Sequence, residues 1–206
     1  MRVRAAGSSA LLVCLDEPEL VTGLYRELLS DPPAGYVDAI PAAETVMVVY
    51  DPASTHASAL GAWLEAAAER AATREPVADH GPVVSIPVVY DGPDLAEVAR
   101  RTELSVEEVV RRHAAGQYVV AFCGFAPGFG YLTGLDPALR LPRRPVPRTR
   151  IPAGSVAVAD RFTSVYPSSS PGGWHLFGRT TTVMWDLRRQ PPALLVPGAR
   201  VRFEAS

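Results

Sequence analysis

Between Tyr118 and Arg179 the chain sets most of its aromatic residues among glycines and prolines, and that pairing constrains the fold more than anything else in it. The first piece is Tyr118-Val-Val-Ala-Phe-Cys-Gly-Phe-Ala-Pro-Gly-Phe-Gly-Tyr-Leu132, which contains Phe125, Pro127, Gly128, Phe129 and Tyr131. A basic, proline-rich passage from Arg140 to Pro152 follows, then Ala153-Gly154-Ser155-Val156, then Ser170-Pro-Gly172-Gly173-Trp174-His175-Leu-Phe-Gly-Arg179. Glycine permits close backbone approach and positive φ, proline fixes φ, and aromatic rings supply rigid walls. Such a stretch reads as a shaped site held by short strands, not as a spacer.

The rest of the composition narrows the chemistry. A chain of 206 residues can bury one large core or two small ones. Its net charge of -2 offers no basic excess for nucleic acid or an anionic membrane. All 20 basic residues are arginine. With no lysine there is no P-loop lysine, no Schiff base and no attachment point for biotin. Cys14 and Cys123 each sit within an apolar run, without the spacing of a zinc site or disulfide framework. Polar sequence resumes at Asp16 without a long apolar core before it, and no apolar run approaches the ~18 residues of a membrane span. The expected location is the cytoplasm.

Along the chain, apolar alternation and turn signals predict strand, helix, strand, strand, helix, strand up to Tyr90. This is the split βαβ, or ferredoxin-like, order, and it places a small α/β domain at residues 1–90. Thr73 to Pro82 is a polar break with Gly and Pro, and Pro87 suggests that the strand from Val83 to Tyr90 lies at an edge or bends. Two short helices follow, each opening on a capping box, Asp94-Leu-Ala-Glu97 and Ser105-Val-Glu-Glu108. Their helix-turn-helix spacing reads as a helical elaboration, since DNA affinity needs phosphate contacts the chain does not cluster. From Gln117 on, strands are expected at Tyr118–Cys123, Ser155–Ala159, Phe162–Tyr166, Trp174–Phe177, Thr181–Asp186 and Ala199–Phe203, a closed or nearly closed barrel over residues 91–206. The fold class is α+β.

No Gly-x-Ser-x-Gly elbow, His-Glu-x-x-His or Cys-x-x-Cys is present. The Gly124–Gly128 loop leads into Phe129-Gly-Tyr-Leu, not into a helix, so it is no dinucleotide fingerprint; its rings either line a pocket or plug a barrel end. His56 and His80 lie in polar sequence and take no role. His113 ends a helix, where a cation is favoured, and His175 follows Trp174 in a glycine turn; either is a candidate proton carrier. Arg140, Arg143 and Arg144 read as a solvated, proline-stiffened coil. Arg148 feeds a strand and, with the Gly154–Ser155 amides, is a candidate anion clamp; Arg179 is another.

The ordered succession of Asp-Gly-Pro-Asp-Leu95, His113, Tyr118, Gly-Phe-Ala-Pro-Gly-Phe-Gly-Tyr-Leu132, Pro-Arg-Arg144, Pro-Ala-Gly-Ser-Val156, Val-Tyr166-Pro167, Ser-Pro-Gly-Gly-Trp174, Gly-Arg-Thr180 and Pro-Gly-Ala-Arg-Val-Arg-Phe203 resembles the allophanate hydrolase subunit 1 family over essentially the whole chain. That family includes the B subunit of the ATP-dependent 5-oxoprolinase, the sporulation-kinase inhibitor of Gram-positive bacteria, and one half of the carboxyltransferase region of urea carboxylase. The resemblance implies a cyclophilin-like β-barrel after the small N-terminal domain. It also implies an obligate partner of the allophanate hydrolase subunit 2 type, the C component of 5-oxoprolinase. A third, TIM-barrel-like subunit joins for 5-oxoprolinase.

The implied activity is ATP-dependent opening of 5-oxoproline to glutamate, with ATP shared with or held by the partner subunits. Allophanate hydrolysis and kinase inhibition are the alternatives. His113, Arg148 and His175 are the expected catalytic groups. Phe125, Pro127, Gly128, Phe129, Tyr131, Gly154, Ser155, Tyr166, Gly172, Gly173, Trp174 and Arg179 are the expected substrate-binding set, and no metal is expected. The chain departs from the family's pattern at Gly130, where proline is commoner, at Asp160-Arg-Phe162, at Ser164, where glycine is usual, and at His175, where glutamine is usual.

Overall fold

The computed structural model describes residues 1–73 and 83–206, which fall into two compact units, Met1–His80 and Gly81–Ser206. The polar break expected up to Pro82, with His80, lies beyond Thr73 outside the described residues.

The first unit holds β1 (Arg2–Ala5), β2 (Ala10–Cys14), α1 (Leu20–Ser30), β3 (Tyr36–Pro41), β4 (Thr45–Tyr50) and α2 (Ala57–Thr73). Its sheet is antiparallel throughout, in the order β1-β2-β4-β3. Val46 and Val48 of β4 alternate inward to meet Leu24 and Leu28 of α1 and Leu60 and Leu64 of α2, all buried. The helix spacing i, i+4 of both leucine pairs gives each helix one apolar stripe for that face. β1 is exposed along its length and carries no apolar run that would announce it in the sequence.

The second unit contains β5 (Val83–Val88), α3 (Leu95–Thr102), α4 (Val106–Ala115), β6 (Tyr118–Cys123), β7 (Gly130–Thr133), a 3-10 turn (Pro137–Leu139), β8 (Arg148–Ile151), β9 (Ser155–Ala159), β10 (Phe162–Val165), β11 (Ser170–Gly172), β12 (His175–Arg179) and β13 (Arg200–Ala205). Seven strands make one sheet in the order β12-β9-β10-β7-β6-β13-β5, and β8 pairs with β11 apart from it. Val89, just past β5, exchanges two 2.9 Å hydrogen bonds with Arg179 at the end of β12, so the two outermost strands meet and the sheet nearly closes.

Two expectations fail here. The strand expected to complete a split βαβ sheet instead runs parallel to β13, with Val83 opposite Arg200 and Val88 opposite Ala205. Its Pro87 fits the outermost position of that sheet. The strand expected at Thr181–Asp186 is irregular, with one bridge from Trp185 to Ala193.

Alternation then sorts the side chains of the sheet. On β10, Thr163 and Val165 point into the core, while Phe162 and Tyr166 (just beyond the strand) carry rings of a separate aromatic cluster. A register shift in β6 between Val120 and Phe122 keeps Val120 in the core opposite Leu132 and sets Phe122 opposite Tyr131.

Candidate functional site

The aromatic cluster is built at one rim of this sheet. Phe122 stacks on Tyr131 with centroids 4.2 Å apart, Phe129 meets Tyr131, Tyr166 and Trp174 edge-on at 5.0, 5.2 and 5.5 Å, and Tyr131 meets Trp174 at 5.6 Å. Phe129, Tyr166 and Trp174 are buried, whereas Phe125 is 61% exposed and lies over Phe129 and Tyr166. Phe125 takes φ +67, which costs a non-glycine residue about 1 kcal/mol and throws its ring outward from the Gly124–Gly128 loop. Gly128, at φ +83, faces Trp185, where an added Cβ would stand 3.0 Å from that residue's own Cβ. Across the cluster, a Cβ on Gly172 would collide with the Tyr166 hydroxyl. Five of the expected ligand-contacting residues, Phe125, Phe129, Tyr131, Tyr166 and Trp174, thus come together.

The departures from the family pattern are accommodated locally. Ser164 Oγ donates to the Gly130 carbonyl at 2.8 Å, so two of them meet each other. Asp160, at φ +52, turns the two-residue hairpin between Ala159 and Phe162, a position open to aspartate. His175 is buried; its Nε2 donates to the Pro142 carbonyl at 3.0 Å, leaving Nδ1 buried without a partner among the described residues.

His113 is elsewhere. Its ring lies in the core, stacked on Phe203 at 4.7 Å and flanked by Phe177 and Tyr118. Both nitrogens are engaged, Nδ1 with the Tyr90 hydroxyl at 2.8 Å and Nε2 with Thr163 Oγ1 at 2.9 Å. Thr163 donates onward to the Ala157 carbonyl at 3.1 Å, so its oxygen accepts from Nε2–H, and Nδ1 accepts from Tyr90. That chain of donors fixes a neutral tautomer. Burial pushes the imidazole pKa down to about 3.

Arg148 is engaged as well. Its two terminal nitrogens reach the two oxygens of Asp94 at 2.9 and 2.6 Å, a bidentate pair. Arg144 Nη1 adds a bond to the same carboxylate at 2.8 Å, and the Leu176 amide donates to it at 2.7 Å. Burial alone would raise the Asp94 pKa; the Arg148 hydrogen bonds, the Leu176 amide and the two arginine charges outweigh it and hold the carboxyl below its usual range.

The capping box predicts Asp94 as the cap of α3, but its side chain makes no cap there; Ser105 does cap α4, accepting from the Glu108 amide at 3.2 Å. The Gly154 and Ser155 amides donate to the Tyr166 and Pro152 carbonyls, so neither is left for an anion. Gly154 is instead a close-approach glycine, where a Cβ would run into the Thr180 carbonyl oxygen. Arg179 pairs with Asp91 at 2.8 Å. Gly173 accepts from the Arg144 amide at 2.7 Å, which ties the arginine-proline passage to the turn carrying Trp174; Pro127 sits in the Phe125 loop.

Among the described residues no group of three or more His, Cys, Asp or Glu could hold a metal ion, and no helix is long and apolar enough to cross a membrane. Two hollows of about 320 and 330 Å³, one lined by Leu15, Leu20 and Leu24 and the other by Arg111, Arg112 and Asp136, include none of the rim aromatics.

Comparison with known proteins places this architecture. The pattern of the carboxyltransferase domain, subdomain C and D, matches residues 1–195. The chain belongs to that family. Within the carboxyltransferase subdomain family it is 36% identical to the 5-oxoprolinase B subunit of Bacillus subtilis (strain 168), over 98% of this chain and 91% of that protein. It is 39% identical to the 5-oxoprolinase B subunit of Escherichia coli O157:H7, over 96% of this chain and 92% of that one. The crystal structure of TTHA0988 superposes on all of this chain with a TM-score of 0.79 at 40% identity, yet this chain spans only 41% of that polypeptide.

Proposed function

We propose that this chain is the B subunit of an ATP-dependent 5-oxoprolinase. It acts on 5-oxoproline together with a homologue of allophanate hydrolase subunit 2 (the C component) and a third, TIM-barrel-like subunit. The observation that carries the reading is the near full-length identity to proteins named as 5-oxoprolinase B subunits. Such a name implies a complex, and the rim suits one: Phe125 is exposed and lies over the buried rings of Phe129 and Tyr166. The same naming favours this activity over allophanate hydrolysis and over kinase inhibition.

In the overall reaction the ring C–N bond of the amide breaks as one water adds across it, and ATP with a second water goes to ADP and phosphate. This chain's described residues do not form a triphosphate cradle. Arg144, Arg148 and Arg179 are bound to Asp94 and Asp91, and the Gly124–Gly128 loop opens no helix. ATP is therefore assigned to the partner subunits, and this chain's part is to bind and orient the small amide. Phe129, Tyr131, Tyr166 and Trp174 supply the rigid wall, and Tyr131 and Tyr166, whose pKa values burial raises (Tyr166 to about 12), remain protonated donors at neutral pH. His113 and the Asp94–Arg148 pair act as positioning elements behind that wall.

Co-purification of the chain with its partners and an assay of 5-oxoproline-dependent ADP release test the proposal. Release that requires all components supports it; none from the full set overturns it.

A further inference from the structure

Arg143 differs from Arg144 and Arg148 in making no side-chain hydrogen bond among the described residues. Arg144 and Arg148 converge on Asp94, and Arg179 is held by Asp91. Arg143 has only Asp160 among the described residues, at 3.8 Å and without a hydrogen bond, and its side chain is 61% exposed. Its backbone is not free to wander: the next residue's amide is bonded to the Gly173 carbonyl at 2.7 Å, and a Cβ on Gly173 would stand 3.9 Å from the Arg143 Cβ. The side chain therefore leaves the arginine-proline passage beside Trp174.

Asp160, the carboxylate nearest to it, sits in the turn that leads into Phe162, whose ring meets Tyr131 at 5.6 Å, which places Arg143 on the side of the cluster that carries Tyr131. Burial raises the pKa of both Tyr131 and Tyr166, and the Arg143 charge counts among the influences that lower each. Tyr166 is only 2% exposed, yet neither its hydroxyl nor that of Tyr131 is hydrogen-bonded within the described residues, and neither is sealed from solvent. A guanidinium and two partnerless hydroxyls around one aromatic wall are a donor set for a planar anion.

We propose that Arg143, with the hydroxyls of Tyr131 and Tyr166, holds the carboxylate of the substrate and so determines its specificity. The inference rests on the 5-oxoprolinase reading and deepens it: the bound compound is an amide ring carrying a carboxylate, and that carboxylate is what this chain recognises. Arg143, a solvated coil residue by its sequence context, becomes a substrate-binding residue, and Arg148 a positioning residue.

The test uses the assembled complex with wild-type chain, Arg143→Gln and Arg143→Lys. The wild-type complex must release ADP on 5-oxoproline; if it does not, the functional reading itself fails, whatever Arg143 does. Given that activity, Arg143→Gln is expected to raise the KM for 5-oxoproline about tenfold to a hundredfold, the loss of one charge-assisted contact, with kcat changed less than about twofold. Arg143→Lys should recover part of the loss. Inhibition by 2-pyrrolidinone, the same ring without the carboxylate, should be equal in wild type and Arg143→Gln. An unchanged KM overturns the proposal, and so does weakening of 2-pyrrolidinone in proportion to 5-oxoproline, since that would mark a general disturbance of the rim.

Discussion

The interior of the barrel-like sheet and its rim use the same residue types, and they differ in what their polar atoms do. Inside, Tyr90, His113, Thr163 and the Ala157 carbonyl form one closed chain in which every donor has an acceptor. At the rim, Tyr131 and Tyr166 stand among rings just as tightly packed, but they and the exposed Arg143 end on atoms with no hydrogen-bond partner among the described residues. A buried histidine with both nitrogens engaged stabilises and orients; hydroxyls left open beside a cation await a ligand. The buried histidine, which looks the more catalytic in sequence, belongs to the scaffold.

The sharpest break of this contrast is at His113. Replacing it by alanine leaves a cavity among Tyr118, Phe177 and Phe203 and strips Tyr90 of its acceptor, and should cost about 3–5 kcal/mol in urea unfolding of the chain. The sign of the pH effect follows from its pKa of about 3 against about 6.5 unfolded. Between those values the unfolded chain binds a proton that the folded chain does not, so stability falls as pH drops below about 6.5 and levels off near 3. A variant that kept full stability and lost only turnover would reverse the assignment of interior and rim.

Asp94 comes next. Asp94→Asn removes the charge shared by Arg148 and Arg144, whose side chains stay about a quarter exposed, and should cost about 2–3 kcal/mol, below the range for fully buried pairs. Its folded pKa is depressed, so its contribution is present above the unfolded value of about 3.9 and is lost as pH falls through the lower folded value. Acid unfolding of Asp94→Asn should therefore be flatter than wild type below about pH 4. The smallest effect is expected at Phe125. Phe125→Gly relieves a positive φ and removes a ring that is mostly exposed, so stability should shift by less than about 0.5 kcal/mol, while the affinity for partner subunits weakens in a titration of complex formation.

The rim was legible because glycine and proline spacing advertises it. Gly172 must admit the Tyr166 hydroxyl and Gly154 the Thr180 carbonyl, and only glycine leaves that room. Contacts between residues far apart were not legible. Asp94 stands three residues before Glu97, as a helix cap would, but its partner Arg148 lies 54 residues on. His113 at the end of α4 resembles a cation on a helix dipole; its spacing of four from buried Val109 was the available sign that it shares the helix's inner face. β5 carried strand propensity without saying which sheet it would join, because register and partner are fixed by β13, more than a hundred residues later.

The open hydroxyls of the rim, and not the buried imidazole, meet the substrate in this account. Tyr131→Phe/Tyr166→Phe removes two oxygens and no packing volume, and neither oxygen is bonded within the described residues. In the assembled complex, kcat/KM for 5-oxoproline should fall at least about tenfold, with the unfolding free energy of the chain within about 1 kcal/mol of wild type. An unchanged kcat/KM in a folded double variant would contradict the account.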